Sequence, residues 1–192
     1  MSHLSHSSAD FFEAKYQRDG DPWNFAHSDY ERRRYDAILA ALQPARYGSG
    51  VEPGCSVGVL TEGLAPLCDH LLAIDFSPTA VRAAAERCRR FEHVEVACRG
   101  LEEVESFAGF DLVVLSEIGY YFSEARWGEL SKRMVGEMRQ GATLLAAHWT
   151  GESKDHAISG DRVHEVLFAN AQLNLQQSER HAGFRLERWE RS

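Results

Sequence analysis

The stretch "GVEPGCSVGVL", Gly50 to Leu60, has the rhythm of a strand running into a glycine loop and then a helix. That unit opens a doubly wound α/β sheet, whose ligand cleft lies at the carboxyl ends of the strands. An acid, Glu52, stands two residues before the first loop glycine, Gly54. A dinucleotide would set its pyrophosphate on the loop amides and helix N-terminus, and Glu52 would repel it. The loop therefore asks for a ligand with a positive end.

Outward from this loop, short apolar runs alternate with helix-like windows. Residues 49–53, 70–76, 94–100, 110–117 and 142–149 read as strands, and 58–68, 77–91, 124–138 and 160–173 read as helices. The alternation predicts a mostly parallel sheet covered on both faces. Ser77-Pro78 supplies an N-cap followed by proline at the first helical position, and Ser123-Glu124 starts a helix in the same way. The tail "LNLQQSERHAGFRLERWERS" reads as two strands joined at 181–183, an antiparallel pair that gives the sheet an antiparallel edge strand.

The predicted architecture is one domain over 1–192, with an N-terminal helical cap at 1–45 and a Rossmann-like core at 46–192. The cap crowds Tyr16, Trp23, Phe25, Tyr30 and Tyr35 around a turn at 19–22, and either packs on the flank of the core or covers its cleft. Arg32, Arg33 and Arg34 fall on different faces of its second helix and read as a solvated surface.

A net charge of −8 argues against a general attraction to nucleic acid. No apolar run approaches the roughly 18–20 residues that cross a bilayer, and "MSHLSHSSADFF" lacks the basic and apolar segments of a secretion signal. The expectation is a cytoplasmic protein with neither membrane nor nucleic acid as partner. Cys55, Cys68, Cys88 and Cys98 lack disulfide or metal spacing and read as reduced thiols.

S-adenosylmethionine carries an ammonium, a sulfonium and one carboxylate, with no phosphate. Glu52 can accept from the ammonium, directly or through water, while loop amides beyond Gly54 hold the carboxylate. The ribose then needs an acid at the end of the next strand, about 20 residues on. Asp75, in "LLAIDFS", stands 21 residues after Gly54 and meets that requirement. Glu52, Gly54, Gly58 and Asp75 form the cofactor signature, with Cys55, Ser56 and Phe76 beside them. Ser56 occupies a position where such loops often carry glycine. The plainer reading makes the acids surface carboxylates at strand ends and the glycines turn residues.

The runs "DPWNF…SDYERRRYDAILAAL" (21–42), "EPGCSVGVLT" (52–61), "LAIDFSPTAVRAAAER" (72–87), "FDLVVLSEIGYYF" (110–122) and "AAHWTGESKDHAISGDRVHE" (146–165) resemble class I S-adenosylmethionine-dependent methyltransferases, and more closely the nodulation protein S (NodS)-like family. The resemblance covers nearly the whole chain. It implies the seven-stranded methyltransferase sheet, S-adenosylmethionine as donor, and N-methylation of the free amine of a deacetylated chitooligosaccharide, as in nodulation. Relatives outside nodulation share the scaffold with other acceptors. By position, Leu101 and Glu102 would meet the adenine, and Ser116 would border the methyl group.

Methyl transfer to an amine needs a neutral, aligned nitrogen, which calls for a base at the cleft. Glu117, after the central fourth strand, is the first candidate, with a helix-start acid or arginine partner as its plainer reading. His148, ending the fifth strand, is the second, with a satisfied strand-end histidine as the alternative. Trp23, Tyr30, Tyr120, Tyr121 and Trp149 are candidates for stacking on a sugar or closing a lid. His148, His156, Asp161 and His164 match no compact metal site, so no metal is expected. An oxygen or other small-molecule acceptor with the same donor, a nicotinamide-dependent oxidoreductase, and a non-catalytic binding module remain as competing readings.

Overall fold

The computed structural model describes residues 9–192; residues 1–8, on which part of the reading of the amino terminus rests, lie outside it. Two helices, α1 (Ala9–Arg18) and α2 (Asp29–Leu42), precede β1 (Tyr47–Pro53) and α3 (Val59–Leu64). Then come β2 (Cys68–Asp75), α4 (Pro78–Cys88), β3 (Val94–Cys98), β4 (Leu112–Ser116), α5 (Glu124–Glu137), β5 (Thr143–Trp149), α6 (Gly160–Phe168), β6 (Leu173–Arg180) and β7 (Phe184–Arg191). Among the described residues seven strands form one sheet in the order β3-β2-β1-β4-β5-β7-β6. The first five are parallel, and β7 runs antiparallel to both β5 and β6. The antiparallel strand therefore lies one place in from the edge that the sequence assigned to it, because the 181–183 turn folds β7 back between β5 and β6.

Alternation along the central strands sorts the core into two layers. Val113 and Leu115 of β4 face α5 and α6 together with Trp127, Met134, Val163 and Leu167. Leu112 and Val114 face the other way, onto Ile38, Leu42, Leu60 and Leu64 of α2 and α3. Ser28, Ser77, Ser123 and Ser159 each cap a helix by accepting from the amide three residues on. No helix among the described residues is long and apolar enough to cross a membrane.

At Gly58 the chain turns left-handed, with φ 78°, and passes so close to α4 that an added Cβ would lie 2.8 Å from Ala84 Cα. Gly58→Ala should cost about 2–4 kcal/mol of stability, from the left-handed backbone and the overpacked contact. A lowered urea midpoint with unchanged slope would show it.

Candidate functional site

The loop after β1 has three left-handed residues, Gly54, Ser56 and Gly58, with φ of 74°, 50° and 78°. Serine at the middle position has a visible return. Its amide donates to Asp75 Oδ2 at 3.0 Å, and its hydroxyl accepts from Tyr16 Oη at 2.5 Å, pinning α1 to the loop. The amides of Gly54 and Cys55 both donate to the Ile74 carbonyl, at 2.7 and 3.0 Å, and Gly58 N donates to the Cys55 carbonyl at 2.9 Å. These four amides hold the loop against β2 and against itself. The expectation that loop amides past Gly54 take a carboxylate therefore fails at Cys55, Ser56 and Gly58.

The two acids flank this loop and line one cavity of about 370 Å³. Glu52 is 2% exposed. Its carboxylate accepts from Thr61 Oγ1 at 2.6 Å, and among the described residues no cationic side chain pairs with it. Burial pushes its pKa up to about 8, with the nearby charge of Asp75 adding to the effect. Burial also lifts Asp75 to about 6, against the amides of Ser77 and Ser56 that donate to its two oxygens at 2.9 and 3.0 Å. A carboxylate has about four acceptor directions, so Asp75 keeps capacity for a pair of hydroxyls.

The raised pKa of Glu52 has a testable sign. In the ligand-free fold its stabilising contribution is present below about 4.5 and is lost as pH climbs through about 8. A ligand whose ammonium reaches Glu52 selects the ionised form. Binding of such a ligand should therefore tighten by up to about tenfold per pH unit between pH 6.5 and 8. Calorimetry at pH 7 in two buffers of different ionisation heat should register proton release, and Glu52→Gln should abolish both effects.

Beyond Asp75, Phe76 and Leu101 line the cavity, as does the Cys55 thiol, which burial keeps protonated. Gly58 and Ser56 shape the loop without lining it. Glu102 turns away, its carboxylate accepting from Arg126 Nε at 2.5 Å on the surface. The adenine pair of the sequence reading reduces to Leu101, because the 3-10 turn at Leu101–Glu103 points successive side chains in different directions.

At the other end Ser116, Glu117, Tyr120, Tyr121 and Trp149 line the same cavity. Glu117 sits at φ 58°, a strained setting for a side chain of its size, and two hydrogen-bond donors and one cation hold it. Trp149 N donates to Oε1 at 2.6 Å, Tyr120 Oη donates to Oε2 at 2.7 Å, and Arg34 Nη1 lies 3.1 Å from Oε2.

His148 does not reach the cleft. It is fully buried, its Nε2 accepts from Gly119 N at 3.1 Å, and its Nδ1 lies 3.2 Å from His164 Nε2. His164 Nδ1 in turn meets Glu187 Oε2 at 2.8 Å. An amide can only donate, which places the His148 proton on Nδ1 and the ring in its neutral form. Burial and the adjacent His164 hold its pKa well below the usual imidazole value. His148 supports the turn at Gly119–Tyr121 rather than meeting a substrate. The other members of the histidine-rich run have separate tasks: Asp161 pairs with Arg180 and Arg185, and His156 stacks on Tyr120 at 3.7 Å.

The N-terminal helices cover the cleft. Phe12, Tyr16, Trp23, Phe25 and Tyr30 all line the cavity, and Lys15 bridges to Asp155 in the loop after β5 at 2.6 Å. That loop starts at Gly151, where an added Cβ would lie 2.0 Å from the Trp149 ring, so glycine makes the room that Trp149 occupies. The sequence reading missed Glu31, Arg34 and Tyr35, which also line the cavity. Arg34 is 1% exposed, not solvated. Its signal was available: Glu31, Arg34, Ile38, Ala41 and Leu42 form one helical stripe, and all five are buried.

A family model described as nodulation protein S (NodS) matches residues 7–178. The nodulation protein S of Bradyrhizobium diazoefficiens is 31% identical over 105 residues, covering 54% of this chain and 50% of that protein. That of Rhizobium tropici is also 31% identical over 105 residues, covering 54% and 44%. The chain thus spans about half the length of the curated relatives it matches. Among solved structures, the NodS N-methyltransferase of Bradyrhizobium japonicum WM9 in complex with S-adenosylhomocysteine superposes with a TM-score of 0.84, at 24% identity, over 95% of this chain and 98% of that one. At that identity the likeness speaks to the fold. A Pseudomonas syringae protein described provisionally as a methyltransferase is 32% identical, with a TM-score of 0.72, over 84% and 99%.

Proposed function

The chain belongs to the nodulation protein S family, and on that premise we propose that it is an S-adenosylmethionine-dependent N-methyltransferase acting on the free amine of a glucosamine-type acceptor, such as a deacetylated chitooligosaccharide. The observation that carries the donor is the buried Glu52 carboxylate, with no cationic side chain beside it among the described residues and in one cavity with Asp75. A buried unpaired charge is costly, and a ligand ammonium would compensate it. Asp75 would accept from the ribose hydroxyls, with Phe76 and Leu101 against the adenine and Ser116 near the reacting centre. The bound donor supplies an electrophilic methyl group on a sulfonium.

The chain's own residues then have to hold an amine in line and dry. Glu117, fixed by two hydrogen bonds and the Arg34 ion pair, would anchor the acceptor's positive end. Tyr30, Tyr121, Trp23 and Trp149 would offer aromatic surface against which a sugar ring can lie, Tyr120, stacked on His156, would support them, and the α1 and α2 cover would limit access of water. Fixing nucleophile and methyl together removes translational freedom from the barrier. The carboxylates around Arg34 favour a cationic amine over a neutral hydroxyl as the arriving group.

A methyl-transfer assay over chitosan oligomers, free glucosamine and small hydroxyl acceptors tests this. Transfer to the amines, with product mass raised by one methyl, is expected. Transfer confined to hydroxyl acceptors, or none from a chain that binds donor, would contradict it.

A further inference from the structure

At the acceptor end of the cavity two carboxylates share one buried guanidinium. Arg34 pairs with Glu31, one turn earlier on α2, and with Glu117 at the end of β4. The two acids are otherwise treated differently. Glu117 accepts from Trp149 N and Tyr120 Oη and also forms an ion pair with Arg34, so protonating it would weaken three interactions at once. The carboxylate of Glu31 has Arg34 as its partner, and its side chain, 10% exposed, lines the cavity. Arg34 Nε and Nη1 and Glu31 Oε2, all buried, have no partner of hydrogen-bond geometry among the described residues, so the cluster is held by charge and still has unmet polar groups. With both acids ionised around one arginine the cluster carries a net charge of −1, which an arriving ammonium would balance.

We propose that Glu31 is the catalytic base of the acceptor site: its carboxylate takes the proton from the acceptor ammonium, while Glu117 serves as the anchor. This rests on the amine-acceptor reading above. The step balances as follows. The acceptor R–NH3⁺ gives a proton to the Glu31 carboxylate, leaving R–NH2 and a carboxylic acid. The nitrogen lone pair then forms the N–CH3 bond as the S–CH3 bond breaks, its electron pair staying on sulfur. The Glu31 proton returns to solvent after product leaves.

The surroundings suit that task. Burial lifts Glu31 to about 7, against the pull of Arg34, with Glu117 and Asp21 raising it further. The other groups that face it are Tyr30 and Tyr35 on its own helix, and burial holds both of those phenols above their ordinary range. A base is most effective when its pKa lies near the working pH.

Glu31→Gln should lower kcat/KM for an amino sugar by about 10²–10⁴-fold at pH 7, while S-adenosylhomocysteine affinity changes by less than about threefold. The deficit should shrink toward pH 9, where the amine is already neutral in solution, and Glu31→Asp should recover part of the rate. A deficit equal at every pH would mark a structural role and overturn the proposal. Independently of any acceptor, a chain labelled with ¹³C at glutamate carboxyls should show Glu31, identified by its loss from the Gln or Asp variant, titrating near pH 7. A midpoint in the ordinary carboxylate range would overturn the proposal even with an active enzyme. Titration near 7 in a chain that binds donor yet methylates no amine would support the base and count against the acceptor reading.

Discussion

Asp75→Ala should weaken S-adenosylhomocysteine binding by about a hundredfold or more, the loss expected when a carboxylate that receives two charge-assisted hydrogen bonds of roughly 1.5–3 kcal/mol each is removed. The carboxylate also accepts from Ser56 N and Ser77 N at 3.0 and 2.9 Å, so part of the effect arises from the loop losing its shape. A thermal melt of the ligand-free variant separates the two: a loss of affinity well beyond the loss of stability belongs to the ligand contact. An acid serving only the turn would leave affinity nearly unchanged once the fold is intact.

The second large effect is on stability. Arg34→Leu removes the cation between Glu31 and Glu117 and leaves two carboxylates in a buried cluster. Breaking a buried pair in this way costs about 3–5 kcal/mol, which for a chain of this length lowers Tm by about 6–20 °C. The loss should be greater at pH 8 than at pH 6, because Glu31, held near 7 by burial, is ionised only above that point. An arginine on a solvated helix face, as the triplet Arg32-Arg33-Arg34 first suggests, would change stability by no more than about 0.5 kcal/mol. The same variant should lose methyl transfer, since Glu117 would have lost one of its three holds.

These two residues also mark how far the sequence reaches. Asp75 and Glu52 were legible because strand ends and loop glycines are set by neighbours close in the chain, and the spacing of 21 residues between Gly54 and Asp75 is one loop–helix–strand unit. The aromatic N-terminal segment was legible as helices, yet its place over the cleft depends on contacts such as Tyr16 to Ser56 and Lys15 to Asp155, which are 40 and 140 residues apart. His148 shows the same limit. Period-two alternation puts it on the face opposite Ala147 and beneath α6, where His164 meets it, but nothing local says that α6 packs there. Glu102 failed for a smaller reason, one step along a tight turn. Arg34 failed because charge was weighed above periodicity, although its stripe with Ile38, Ala41 and Leu42 was present in the sequence.

The most direct test of the account is a crystal structure of the chain with S-adenosylhomocysteine. The ribose should lie on the Asp75 carboxylate, the ammonium within reach of Glu52, and the sulfur turned toward the cluster of Glu117, Arg34 and Glu31. A nucleoside bound outside this cavity, or inside it with Glu52 and Asp75 both untouched, would contradict it.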